Sequence, residues 1–339
     1  MTLSILVVGT GAVGGFYGSR LQHPPSSSVS LVCRSNYRAV KEANGLTLQT
    51  HSFGSYHFSP ASIYPSIEDA STARGGKEWD YLLVTSKALP DVEDGSEAIE
   101  PLVGEKTAIV LIQNGIGIEE PYRKRFPRNP IISAVTVVSA SQPSHGRIVQ
   151  NRWTRISLGP YGGDRNTVSS IRTLEALLKT GGIKDAEVYE SEADFQLLRW
   201  HKLAINSSMN PSSVLSNGTP NARMSKDPEL REHLKGVMEE IFYAAEKVTG
   251  KKMDFEKYAN AERILRSSER NEGGMPSMWG DWERGAAMEL EVILGNPIRL
   301  AREKGVQMPR LQTLYALIKM AQRRRDEKVE ESKGKKARL

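Results

Sequence analysis

Leu3-Ser4-Ile5-Leu6-Val7-Val8-Gly9-Thr10-Gly11-Ala12-Val13-Gly14 opens the chain with a short, nearly continuous apolar run that breaks at once into a glycine-rich turn. A run of this kind is what a parallel strand buried on both faces requires. Behind it, the small residues Gly15, Gly18 and Ser19 sit among Val13, Phe16, Tyr17 and Leu21, as on a helix that packs closely on one side. The pattern is therefore G-x-G-x-x-G between a strand and a helix. The first glycine makes the tight turn, the second lets backbone N–H groups approach a pyrophosphate, and the third brings the helix close to the strand. Those amides and the helix N-terminus favour an anion. Gly9, Thr10, Gly11, Ala12, Val13 and Gly14 are thus candidate cofactor-binding residues, and a dinucleotide is the expected ligand.

Further along, Val29-Ser30-Leu31-Val32-Cys33 reads as the second strand and ends in Arg34-Ser35-Asn36. An NAD site usually carries Asp or Glu here for the ribose 2'-hydroxyl, whereas Arg suits a 2'-phosphate. Arg34 points to NADP (NADPH); a surface arginine at a strand end is the competing account. Residues 45–59 alternate as a small hairpin, and Tyr81-Leu82-Leu83-Val84 and Thr107-Ala108-Ile109-Val110-Leu111-Ile112 repeat the buried-strand signature. Each is followed by polar residues, Thr85-Ser86-Lys87 and Gln113-Asn114-Gly115. Ligands of open parallel sheets sit outside the carboxyl ends of the strands, which makes Lys87 and Asn114 cofactor candidates, although either could be a loop residue without a role. Ile131 to Val138 forms a further strand, residues 146–160 an antiparallel addition, and Ile171, Leu174, Leu177 and Leu178 a helix stopped by Gly181-Gly182.

From about Glu192 the pattern changes to helix after helix. Asp227-Pro228 supplies an N-cap and first-turn proline, and Leu230, Leu234, Val237, Met238, Ile241, Ala245 and Val248 make one apolar stripe. The expected fold is α/β: a Rossmann-type, doubly wound parallel sheet over residues 1–191, followed by an all-α C-terminal domain over 192–325 and a basic, disordered tail over 326–339. Two such domains should pack directly and leave a cleft. On the first helix of the second domain, Lys202, Asn206 and Asn210 fall at i, i+4 and i+8, an ammonium and two amides along one stripe. Asparagine is a mediocre helix former, so two within an apolar turn pattern ask for a reason; a solvated face is the simple one. Pro211 is expected to limit this helix.

Composition narrows the function. No apolar run approaches the length of a membrane span, and no basic region or cleavage site precedes the first strand, so a cytoplasmic protein is expected. Cys33 is the only cysteine, and the six histidines show no paired ligand spacing, so no metal is expected. The formal charge is +6, but Lys319 to Leu339 holds nine Lys or Arg against four Asp or Glu, a net of +5. The basicity belongs to the tail, and no basic face interleaved with aromatic residues calls for nucleic acid.

Taken together, the Gly9–Gly14 loop, Thr85-Ser86-Lys87-Ala88, Gln113-Asn114-Gly115, Lys202-Leu203-Ala204-Ile205-Asn206 with Asn210-Pro211, and Ser277-Met278 followed by Glu289 resemble the ketopantoate reductases (2-dehydropantoate 2-reductases), most of all their fungal members. The resemblance runs from Gly9 to about Arg310. It implies NADPH-dependent reduction of 2-dehydropantoate to (R)-pantoate in pantothenate and coenzyme A biosynthesis. It also implies roles: Lys202 as the general acid, Glu289 as its support, Asn206 and Asn210 on the substrate's polar groups, and Ser277 on its carboxylate. A homodimer is compatible with it. The residue types suit the chemistry, because hydride delivery builds negative charge on the carbonyl oxygen and an ammonium both stabilises that charge and supplies a proton. Apart from the resemblance, Glu289 reads as a surface residue of the helix through Leu290, Ile293 and Leu294, and Ser277 as an N-cap.

Two positions depart from the family. Pro276 stands where a second serine is usual and Gly274 where an asparagine often sits, with Asn271 nearby at the wrong spacing. Met275, Trp279 and Trp282 crowd the same stretch. Another 2-keto acid or a bulky ketone is therefore an alternative substrate, and the aromatics are otherwise domain core. A third reading is an NADP-binding sensor without turnover, against which the presence of both Lys202 and Glu289 speaks. Finally, Ala337-Arg338-Leu339 looks like a variant of the S-K-L peroxisomal address; a solvated basic tail that happens to end in Leu competes with it.

Overall fold

The opening run becomes strand β1, Leu3–Val8, whose last four residues are buried. Burying such a side chain contributes roughly 1.5–3 kcal/mol. Its neighbours are β2, Ser27–Val32, and β6, Tyr81–Val84, both parallel to it. The remaining strands are β3 (Leu46–Thr50), β4 (Gly54–Phe58), β5 (Ser62–Tyr64), β7 (Ala108–Leu111), β8 (Ile131–Ser144), β9 (Arg147–Pro160) and β10 (Ala186–Val188). All belong to one 10-stranded sheet in the order β4-β3-β9-β8-β7-β6-β1-β2-β5, with β10 beside β9. From β8 to β5 every pairing is parallel, and the order reverses direction between β6 and β1, the switch point where open α/β sheets take ligands. The β3–β4 and β8–β9 pairs are antiparallel, so the sheet is mixed.

The computed structural model describes residues 2–162 and 165–336. Ala337-Arg338-Leu339, the tripeptide with the peroxisomal resemblance, lies outside them. The chain divides into two compact units. One comprises Met1–Ala88, Glu93–Asn114 and Ile118–Phe195, and the other Leu89–Val92, Gly115–Gly117 and Gln196–Leu339. The second unit is helical, built on Glu192–Leu215, Asn221–Lys226, Pro228–Thr249, Ala261–Glu269, Ser277–Glu283, Asn296–Glu303 and Pro309–Lys336, with a π-helical turn at Glu291–Gly295. Asp227 caps Pro228–Thr249 through the Leu230 amide, and Gly250 closes it in the left-handed conformation at φ +69°. The first turn of Glu192–Leu215 stays with the sheet because Phe195 fills the space beside Gly159, and its ring meets Tyr189 edge-on at 5.7 Å.

Two expectations are corrected. Pro211 does not end its helix, which runs on to Leu215. A proline removes one i→i−4 bond, yet Met209 and Val214 are buried on either side of it, and that packing outweighs the lost bond. Disorder expected from residue 326 is not found as far as Lys336, since the Pro309–Lys336 helix continues past 326; residues 337–339 lie outside the described residues. Residues 323–331 are mostly Arg, Asp, Glu and Lys, and the Arg, Glu and Lys among them are good helix formers.

Candidate active site

In the sheet unit, the parallel registers set Val32, Val8 and Val84 level with one another, and Val84 level with Leu111. The segments that follow are thereby brought to one edge: Arg34 after β2, the Gly9–Gly14 loop after β1, Thr85-Ser86-Lys87 after β6, and Gln113-Asn114 after β7. Gly9 has φ +97°, and a Cβ there would lie 2.5 Å from the Ser86 amide nitrogen, so only glycine fits. Gly11 is exposed, with nothing nearer than 4.0 Å to where its Cβ would be, which leaves its backbone open to a ligand. A Cβ on Gly14 would collide with Thr85 Oγ1 and the Gly9 carbonyl, so the helix Ala12–Arg20 comes as close to the strands as the motif demands. The donor-rich, glycine-lined turn thus suits a pyrophosphate.

Side chains from the motifs and, with Gln142, from outside them hold this loop in shape. Thr10 Oγ1 donates to the Val32 carbonyl at 2.9 Å, and Asn36 Nδ2 donates to the Thr10 carbonyl at 2.6 Å. Thr85 Oγ1 donates to the Gly9 carbonyl at 2.6 Å, and Gln142 Nε2 reaches the Thr10 carbonyl at 3.4 Å. Gln113 is turned to Ser86, its Nε2 donating to that carbonyl at 2.8 Å, and Asn114 beside it is half-buried. Arg34 and Lys87 are exposed.

In the helical unit, Lys202 and Asn206 are partly buried and Asn210 is buried, 4% exposed. Their spacing places them along one face of Glu192–Leu215. Asn210 Nδ2 has no partner among the described residues. A buried, unsatisfied amide costs about 1–3 kcal/mol, a cost that a ligand carbonyl or carboxylate would remove. The Lys202 ammonium is pushed down to about 8, first by burial and then by the charge of Arg199, with Glu289 pulling the other way.

Glu289 is half-buried immediately before a helical segment that opens at Leu290, rather than lying on a helix surface. The stretch around it is held by the Pro309–Lys336 helix. Arg325 donates to the carbonyls of Trp282 and Ala286, and Gln322 Oε1 accepts from the Met288 amide at 3.0 Å. Lys319 and Tyr315 both donate to Glu291, which Arg299 also meets at 2.7 Å. Burial alone would raise the Glu291 carboxyl, but hydrogen bonds from Lys319, Tyr315 and Arg299 take it down to about 2. Tyr315, Lys319, Gln322 and Arg325 recur at helical spacing, so one stripe fixes the approach to Glu289.

Ser277 is exposed at the first position of Ser277–Glu283, whose N-cap is Pro276; the serine does not cap the helix. Asn271 folds back over Gly274: its amide fills the place of a residue-274 side chain, and its carbonyl accepts from the Gly274 amide at 3.0 Å. Trp279 and Trp282 are half-buried rather than core; Trp279 lies against Gly218, and the Arg325 guanidinium sits 5.0 Å above the Trp282 ring. Met275 is exposed. No group of three or more His, Cys, Asp or Glu suited to a metal ion occurs among the described residues, and no described helix is long and apolar enough to cross a membrane.

Comparison with known proteins gives a consistent picture. The family model described as Ketopantoate reductase PanE/ApbA matches residues 5–163, and its C-terminal counterpart matches residues 194–322. An uncharacterised protein of Saccharomyces cerevisiae, YDL144C, is 30% identical over 97% of this chain and 95% of its own length. The 2-dehydropantoate 2-reductase of Nostoc is 26% identical over 92% of this chain and 93% of its own. Among solved structures, 2-dehydropantoate 2-reductase from Methylococcus capsulatus superposes with a TM-score of 0.81 at 32% identity, covering 95% of this chain and 98% of that one.

Proposed function

The chain belongs to the ketopantoate reductase family of nicotinamide-dependent oxidoreductases, and on that premise we propose that it reduces 2-dehydropantoate to (R)-pantoate with NADPH, using Lys202 as general acid. The observation that carries the reading is the state of Lys202. An ammonium pushed down to about 8 is still mostly protonated at neutral pH, yet it gives up its proton far more readily than an ordinary lysine. At a ketone, Lys202 Nζ would donate to the carbonyl oxygen as negative charge develops there, and hand over its proton as the alcohol forms. Glu289 counters the positive charge of Arg199 and keeps the lysine charged until that moment. Asn206 and Asn210 offer amides along the same face for the substrate's hydroxyl and carboxylate, and Ser277 offers a hydroxyl for the carboxylate.

Gly9–Gly14, Lys87 and Asn114 would hold the dinucleotide, and Arg34 its 2'-phosphate, which is the basis for proposing NADPH over NADH. When bound, the nicotinamide supplies the hydride. On this reading the enzyme acts in pantothenate biosynthesis, and the cytoplasm is its proposed location. A second reading, reduction of a bulkier 2-keto acid, draws on Gly274, Pro276, and the half-buried Trp279 and Trp282 beside Ser277. Loss of NADPH absorbance with 2-dehydropantoate beside a panel of aliphatic and aromatic 2-keto acids decides between them. The highest kcat/KM for 2-dehydropantoate supports the first reading, the highest for an aromatic acid supports the second, and no turnover with any despite tight NADPH binding sinks both.

A further inference from the structure

One side chain in the helical unit is not accounted for by any of these roles. Arg199 is 3% exposed on Glu192–Leu215, one helical turn before Lys202 and on the same side of the helix. Burying a guanidinium is costly unless it is well used, and two cations one turn apart repel. Its Nη1 donates to the carbonyl of Gly115 at 3.2 Å.

Gly115 opens a turn that is held from other directions as well. It has φ +91°, and a Cβ there would lie 2.5 Å from the Val292 carbonyl oxygen and Cβ, so the turn is glycine-dependent. The Ile116 amide donates to the Val292 carbonyl at 2.8 Å, and Asn296 Nδ2 donates to the Ile116 carbonyl at 2.8 Å. Val292 belongs to the π-helical turn, whose first residue, Glu291, is two positions after Glu289. The Gly115–Gly117 turn is therefore clamped on one side by the helix of Lys202 and on the other by the segment of Glu289. By covalent connection it also fixes the backbone that follows Asn114.

We infer that Arg199 is a positioning residue: its guanidinium ties the Gly115–Gly117 turn to the Lys202 helix and stands as a buried cation one helical turn before the lysine. This rests on the proposed role of Lys202 as general acid. The charges shown acting on Lys202 are Arg199 from its own helix and Glu289 from the segment ahead of the π-helical turn. Arg199 thus has two separable effects, a charge felt by Lys202 and a donor used by Gly115.

The test is the pH profile of NADPH-dependent ketone reduction in full-length Arg199→Gln, Arg199→Lys and Lys202→Met. The parent's activity should fall as pH rises through about 8, where Lys202 loses its proton. Arg199→Gln keeps a donor for Gly115 and removes the charge, so that limb should move up by roughly one pH unit, a tenfold gain in protonated lysine at a fixed pH above it. Arg199→Lys keeps the charge and loses the planar fork, so the limb should stay in place while KM for NADPH rises several-fold as the turn after Asn114 loosens. A limb that does not move in Arg199→Gln overturns the charge effect, and an unchanged KM in Arg199→Lys overturns the tether. Should Arg199→Gln be too poorly folded to assay, NMR titration of the Lys202 ammonium in Arg199→Met, compared with the parent, reads the charge instead, and an unshifted midpoint there overturns the charge effect. If instead Lys202→Met turns over ketone at the parental rate, the general-acid reading fails, a result distinct from any shift or constancy in the Arg199 variants.

Discussion

Replacing Lys202 by methionine should remove turnover and make the protein more stable. In the native protein the ammonium is pushed from an ordinary 10.5 down to about 8, so the folded state holds the charge less well than the unfolded chain does. Each pH unit of such a displacement corresponds to about 1.4 kcal/mol, giving an upper bound of about 3.5 kcal/mol. Water still reaches part of the side chain, and Glu289 loses its counter-charge in the variant, which together bring the expected gain to about 2 kcal/mol at neutral pH. The sign follows from linkage. Below pH 8 the lysine is charged in both states and the parent bears the full penalty. Between about 8 and 10.5 the native protein has released the proton and the unfolded chain still holds it, so the parent's stability rises with pH and the advantage of the methionine variant shrinks. Thermal unfolding of parent and variant at matched pH values on either side of 8 reads this out. A variant less stable than the parent at neutral pH, or a stability difference that does not change with pH, would refute the reasoning.

Other substitutions separate the remaining roles. Arg34→Ala should weaken NADPH binding by at least tenfold and leave NADH nearly unaffected, because only the 2'-phosphate contact is lost; calorimetric titration with both cofactors checks it, and an unchanged preference removes Arg34 from the site. Asn210→Ala should raise KM for the keto acid at least tenfold while leaving stability within about 1 kcal/mol, since the free protein gives Nδ2 no hydrogen bond to lose; a large fall in melting temperature with normal KM would make this asparagine structural.

The parts of the account that could be read in the sequence are those governed by local rules. The Gly9–Gly14 loop needs glycines for conformation and close approach, and the flanking apolar run needs burial on both faces, so strand, turn and helix are all written within the first twenty residues. The stripe of Lys202, Asn206 and Asn210 follows from helical spacing alone, although its exposure does not. What was not legible depends on residues far apart in the chain. Arg199 meets the Gly115 carbonyl 84 positions away, and Gln142 meets Thr10 across 132. Pro211 misled because a local rule lost to packing around Met209 and Val214, and the tail misled because charge was weighed and helix propensity was not. That Asn271 lies against Gly274 was not legible either, because only the turn brings its amide into the space a side chain there would take.

The most direct measurement is the fate of hydrogen in the reaction. With NADPH deuterated at the transferable C4 position and 2-dehydropantoate as substrate, the parent protein should yield pantoate carrying deuterium at C2, and Lys202→Met should yield none while binding NADPH with unchanged affinity. Deuterium absent from C2 of the product, or labelled pantoate formed by Lys202→Met at the parental rate, would contradict the assignment of hydride reduction with Lys202 as the acid.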